Sequence, residues 1–132
     1  MSITPEEALV ALSLWIDGSP GYVGCSPEAV LWRRVTKVAS EAGEAIDALA
    51  GAVGENPRKG VTGTMDDVVE ELLDAAVAAV GAVEHVTGHH GYALARLDDK
   101  IMRVAVRAGV LERRPRERYD AVMDSGPTEG ES

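Results

Sequence analysis

The sequence predicts an all-α fold, an antiparallel bundle of about four helices in one domain. Three observations predict it. Ala, Val and Leu dominate the apolar set and aromatics are scarce, with two Trp, three Tyr and no Phe, a composition suited to closely packed helices. Apolar residues recur three and four positions apart, the period of a helix face. Clusters of Gly, Pro, Ser and Asn cut the periodic stretches into four. With 132 residues the chain is long enough for a single core. The predicted organisation is a helical domain over 1–112 and a charged C-terminal tail over 113–132, rich in Glu, Arg, Gly and Pro.

Each helix carries its own signals. Thr4-Pro5-Glu6-Glu7 opens the first: Thr4 caps, Pro5 suits the first turn and Glu7 completes a capping box. It runs to about Asp17, where Gly18-Ser19-Pro20-Gly21 stops it. Ser26-Pro27-Glu28 opens the second, predicted to reach about Val53 with an apolar stripe of Leu31, Val35, Val38, Ala42, Leu49 and Val53, Ile46 close by. Residues 54–63 hold Gly54, Pro57 and Gly60 and read as a loop. Thr64, with Asp66 and Asp67 in the first turn, opens the third helix, whose stripe is Val68, Leu72, Ala75, Ala79, Ala82 and Val86. Gly88 ends it. The fourth begins between His89 and Tyr92 and ends at Gly109, with Leu94, Leu97, Ile101, Val104 and Ala108 as its core stripe.

Bulk properties exclude several functions. Twenty-two acidic against 13 basic side chains leave a formal charge of -9. That is the wrong sign for a duplex DNA binder, so no nucleic-acid polymer is expected as partner. Cys25 is the one cysteine, which rules out an intrachain disulfide and suits a reducing compartment. Glu6 and Glu7 stand where a signal peptide has basic residues, and the apolar stretch from Ala75 to Val83 is too short to cross a bilayer. The expectation is a cytoplasmic protein with no membrane partner.

The chemistry lies in two pairs of acids. Glu41 and Glu44 sit three apart on the second helix, and Glu71 and Asp74 three apart on the third, so each pair lies one turn apart on one face. At about 100° per residue, each pair falls about 60° and 120° to the same side of its helix's apolar stripe. At about 1.5 Å per residue, Glu44 lies about 14 Å from the end of its helix and Asp74 about as far from the start of the next. Folded antiparallel, the four acids meet across one groove. Clustered carboxylates repel, and a hard divalent cation with oxygen ligands relieves that. On the fourth helix Arg96, Lys100, Arg103 and Arg107 form a cationic stripe, and Arg58 and Lys59 sit in the 54–63 loop; Lys100, Arg103, Arg58 and Lys59 are the candidates to bind polyphosphate. No His has a Glu three residues before it, so His85, His89 and His90 read as exposed helix-end residues. Trp32 points away from the carboxylate face and is expected in core or subunit packing, and Glu84 is expected off the acidic face. Neither a nucleophile triad nor a phosphate-cradling glycine loop is present.

Glu41-x-x-Glu44, a gap of 26 residues and Glu71-x-x-Asp74 resemble the signature of the all-α nucleoside triphosphate pyrophosphohydrolases, and of MazG-like proteins in particular. Asn56-Pro57-Arg58-Lys59-Gly60, Asp67 to Asp74 and Lys100-Ile101-Met102-Arg103 add to the likeness, which covers Leu31 to Gly109. The resemblance implies a helical homodimer or homotetramer. It implies Mg²⁺, with Mn²⁺ as substitute, on Glu41, Glu44, Glu71 and Asp74, and hydrolysis of (deoxy)nucleoside triphosphates to monophosphate and pyrophosphate, a nucleotide house-cleaning reaction. Glu41 is the expected proton acceptor, although Ser40 stands where some relatives carry a further acid. Two alternatives are a phosphoribosyl-ATP pyrophosphohydrolase, with similar paired acids, and a catalytically silent helical interaction module.

Overall fold

The computed structural model describes residues 2–111, which form four α-helices and no strand. The tail expected over 113–132 lies outside the described residues. Helix α1 spans Pro5–Asp17, α2 Pro27–Val53, α3 Met65–Val86 and α4 Ala93–Arg107. The predicted starts hold for physical reasons. Thr4 and Glu7 close a reciprocal capping box on α1, Thr64 and Asp67 close another on α3, and Ser26 accepts from the Ala29 amide at the head of α2. Gly54 ends α2 in the left-handed conformation, at φ 67°, that an L side chain takes only under strain.

The fourth helix departs from expectation at its start. Tyr92, at the N-cap position, offers no side-chain hydrogen bond. Instead Glu84 of α3 takes over, its Oε1 accepting from the Ala93 amide at 2.8 Å and its Oε2 from the Gly91 amide at 3.1 Å. An anion at a helix N-terminus satisfies free N–H groups and the helix dipole together. Glu84 is only 1 % exposed. It lies off the acidic face, as expected, and is a buried joint between α3 and α4.

The helices alternate in direction. Arg34 of α2 bonds to the Gly81 carbonyl of α3, while Glu44 converges with Glu71. Ten residues forward on α2 thus match ten residues back on α3, so the two are antiparallel. Ser13 of α1 meets Gly81 and Asp17 meets His85, so α1 runs parallel to α3, as an up-down-up arrangement requires. Contact is most extensive between α2 and α3, with α1 laid on α3 and α4 against it through a smaller surface.

The seam takes Val68 and Ala82 from the predicted α3 stripe but none of the large residues of the α2 and α4 stripes. Buried hydrophobic residues are Ala45, Val68, Val80, Ala82, Ala93 and Ala95, and they are joined by Ser13, Arg34, Glu84 and Asp99. On α2 the inward face runs through Arg34, Glu41 and Ala45, roughly 90° around the helix from Leu31, Val35, Ile46, Leu49 and Val53. Those five are exposed, as are Leu72 and Val86 of α3 and Leu97, Ile101 and Val104 of α4. Trp32, expected in packing, is 64 % exposed in the single chain. Small residues win the seam because they let helix axes approach closely; at Gly81 an added Cβ would sit 3.3 Å from the Arg34 guanidinium. No described helix is long and apolar enough to cross a membrane.

Candidate functional site

Midway along the α2–α3 seam, Glu41, Glu44 and Glu71 each bring a carboxylate oxygen within 4.8 Å of the other two. The 26-residue gap does this because the long α2 and α3 fold back on each other around the 54–63 connector. The structure brings together three of the four acids predicted from the sequence. Asp74 is exposed and lies outside this group. Residues three apart on a helix still diverge by about 60°; α3 turns Glu71 to the seam and Asp74 past it.

The three carboxylates are not equivalent. Lys37, one turn before Glu41, pairs with it at 2.5 Å. This hydrogen bond holds Glu41 below the usual carboxylate range and raises the Lys37 ammonium. Glu44 is pushed the other way, first by its hydrogen bond to Glu41 and then by the charges of Glu41 and Glu71. Glu71 Oε2 is buried and has no hydrogen-bond partner. A buried carboxylate oxygen without a donor is costly, and the missing partner must be positive or a proton donor. An all-oxygen donor set with such an orphan suits a hard dication such as Mg²⁺ or Mn²⁺.

A cavity of about 360 Å³ opens beside Glu41. Leu12, Trp15 and Ile16 of α1 form one wall, Lys37 and Glu41 of α2 another, and Tyr22 of the α1–α2 connector reaches in. Arg33 holds that connector, donating to the Gly21 carbonyl and lying 5.6 Å from the Tyr22 ring centroid. Lys37 and this cavity were not singled out by the sequence analysis. The spacing of Lys37 and Glu41, four apart on a helix, is the signal that could have found the pair.

The predicted phosphate-binding residues stand elsewhere. Arg103 Nε is 2.8 Å from Asp99 Oδ2 on its own helix, and Lys100 is exposed. Arg58 and Lys59 are exposed in a turn where Asn56 accepts from both backbone amides. That turn follows the end of α2, about 15 Å along the axis from Glu44. Among the described ion pairs, none joins these four cations to the acidic trio.

The histidines also differ from expectation. His85 and His89 are partly buried and converge with Asp17, whose Oδ2 lies 2.6 Å from His85 Nδ1 and 3.5 Å from His89 Nε2. Asp17 Oδ1 accepts from Arg34 at 2.8 Å. Burial alone would raise Asp17, but the bonds from His85 and Arg34 outweigh it and hold the carboxyl below its usual range. Sequence spacing could not reveal this cluster, since its members come from α1, α2, α3 and the α3–α4 connector. No protein-family model, no curated protein and no solved structure matches this chain.

Proposed function

We propose that the chain is a divalent-metal-dependent nucleoside triphosphate pyrophosphohydrolase of the MazG-like kind, releasing monophosphate and pyrophosphate. The convergence of Glu41, Glu44 and Glu71 around an unpartnered buried oxygen carries this reading. The adjoining cavity supports it. Its apolar and aromatic walls fit a nucleoside, and Glu41 of the trio lines it, so the phosphates of such a ligand would lie toward the metal.

In this reading Glu41, Glu44 and Glu71 hold Mg²⁺, with Asp74 available at the rim. The ion supplies positive charge against the phosphate oxygens. The chain's own groups divide the remaining work. Lys37 carries an ammonium at the mouth of the cavity, suited to an equatorial phosphoryl oxygen. Glu41 is the proton acceptor of this reading, held in place by its 2.5 Å pairing with the Lys37 ammonium.

The proposal includes a symmetric homodimer. The largest fully buried side chains of the single chain are Glu84 and Ser13, while Leu31, Val35, Ile46, Leu49, Leu72 and Leu73 are exposed along the two longest helices. A surface of that kind is the core of an interface left uncovered.

One experiment tests chemistry and assembly together. The protein is incubated with canonical and modified nucleotides plus Mg²⁺, products are identified by mass, and the same sample is sized by light scattering. The expected result is pyrophosphate and a monophosphate from a dimer or larger species. Orthophosphate with a diphosphate would remove the pyrophosphohydrolase reading, and a monomer at micromolar concentration would remove the dimer. A silent interaction module shows neither turnover nor a Mg²⁺-dependent melting shift.

A further inference from the structure

We propose a second metal site, for a borderline transition-metal dication such as Zn²⁺, on Asp17, His85 and His89. It needs neither the acidic trio nor its proposed reaction. One ligand atom from each of these residues lies within 4.8 Å of the other two. Two imidazoles and one carboxylate with room for an exogenous ligand are a recurrent donor set for such ions. The two rings pack edge to face, 86° apart with centroids separated by 5.9 Å, which keeps both imidazoles beside the same carboxylate.

The backbone is arranged to produce this convergence. His89 is the one described non-glycine residue with positive φ, at 60°. That conformation disfavours a side chain, and strained residues cluster at functional sites. Here it turns the His89 ring back toward α1, with Nε2 2.9 Å from Ser13 Oγ and 3.5 Å from Asp17 Oδ2. A tetrahedral ion at ordinary bond lengths separates its ligand atoms by ~3.3 Å. The His89–Asp17 distance of 3.5 Å already meets that, and the 2.6 Å His85–Asp17 hydrogen bond must open by ~0.7 Å.

Arg34 acts from the outer shell. It is 4 % exposed and bonds to Ser13 O, Ser13 Oγ, Gly81 O and Asp17 Oδ1. This leaves Asp17 anionic and turns Oδ2 toward the two imidazoles. Its positive charge does not forbid a second cation, because three neutral imidazoles suffice to hold Zn²⁺ elsewhere. His89 also borders an open cleft of about 530 Å³ with Glu6, Glu7 and Val10 of α1. Bound there, the ion clips the C-terminal ends of α1 and α3 to the α3–α4 connector.

The test uses the full chain with Zn²⁺ and, as a spectroscopic probe, Co²⁺. Four proteins are compared: wild type, His85→Gln, His89→Asn and Glu71→Gln. Asn tolerates the left-handed backbone at position 89, so that variant keeps the fold while shortening the ligand. Calorimetry is expected to show one tight Zn²⁺ per wild-type chain, and Co²⁺ to give the visible bands of a nitrogen-ligated, low-coordinate ion. Glu71→Gln retains both signals, and each histidine variant weakens Zn²⁺ binding at least tenfold while still melting cooperatively. Absence of binding tighter than millimolar in wild type overturns the proposal. So does unchanged affinity in both histidine variants, or loss of the Co²⁺ bands in Glu71→Gln, which would place the ion on the acidic trio.

Discussion

Two side-chain clusters lie along α3, and they differ in what compensates their charge. Around Glu41, Glu44 and Glu71, three carboxylates face a single ammonium, and one buried oxygen has no partner. Around Asp17, one carboxylate meets the Arg34 guanidinium and two imidazoles. The first cluster is all oxygen and under-compensated. It costs stability until a hard cation arrives. The second is nitrogen-rich and nearly satisfied, so it holds α1 to α2 and α3 with or without an ion and favours a softer one. Proximity alone does not make a site; donor chemistry and the residual imbalance of charge decide which ion, and how strongly the fold depends on it.

The largest expected effect comes from separating the clusters at Glu71. Glu71→Gln keeps shape and helix propensity, removes one charge and gives the orphaned position a group that can donate to its carboxylate neighbours. Turnover with Mg²⁺ should fall at least a hundredfold, and the Mg²⁺-dependent rise in melting temperature should vanish. Without metal the variant should melt higher than wild type, by roughly 0.5–2 kcal/mol of stability, since like charges on one groove repel. A lower metal-free melting point, or normal turnover, breaks the distinction drawn here.

Glu84 supplies the opposite case, a buried acid whose charge is fully employed. Both of its oxygens accept backbone N–H bonds at the head of α4. Glu84→Gln leaves one of those donors facing an amide NH₂, and leaving a buried donor unsatisfied costs about 1–3 kcal/mol. Thermal melts should show that loss equally with and without Mg²⁺. Glu70→Gln, at an exposed position on α3, should change neither stability nor metal response and serves as the control. A Glu84 variant as stable as wild type would mean that the α3–α4 joint does not depend on this anion.

The helices were legible because their signals are local. Thr4, Ser26 and Thr64 cap where capping chemistry says they should, and Gly54 stops α2. The meeting of Glu41, Glu44 and Glu71 was legible too, since two helical faces and a short connector determine it. The inference from apolar stripe to core held at Val68 and Ala82 of α3 and failed on α2. Leu31, Val35 and Leu49 do lie on one face, but periodicity reports a face, not its partner, and Ala45 with Arg34 takes the contact with α3. Arg103 went to Asp99 because a partner four residues away on the same helix needs no tertiary structure to find it. The Asp17–His85–His89 cluster was illegible because its members lie up to 72 residues apart and His89 reaches it through an unusual backbone angle.

The smallest expected effect is on pH dependence, and it isolates the imbalance within the trio. Glu44 has a pKa above its ordinary 4.5, chiefly through its hydrogen bond to Glu41 and the charge there. In the window between those two values the folded chain binds more protons than the unfolded one, so stability falls as pH rises and grows as pH drops. Glu41 and Asp17 are held below their ordinary 4.5 and 3.8, so their contributions are present above those values and lost as pH falls through the folded ones. The metal-free protein should therefore show a melting increment from Glu44 on acidification toward pH 4.5, then a decline below it. The quantity to read is the difference between wild type and Glu44→Gln. That difference should shrink as pH falls toward 4.5 without metal, because wild type then gains the proton whose effect the amide already mimics. Mg²⁺ reverses the sign, since protons compete with the ion for Glu44, and wild type loses its metal-dependent stabilisation over the same interval. A wild-type minus Glu44→Gln difference that stays flat with pH in metal-free buffer would show that Glu44 does not feel Glu41 and Glu71, and the three carboxylates would then not form one site.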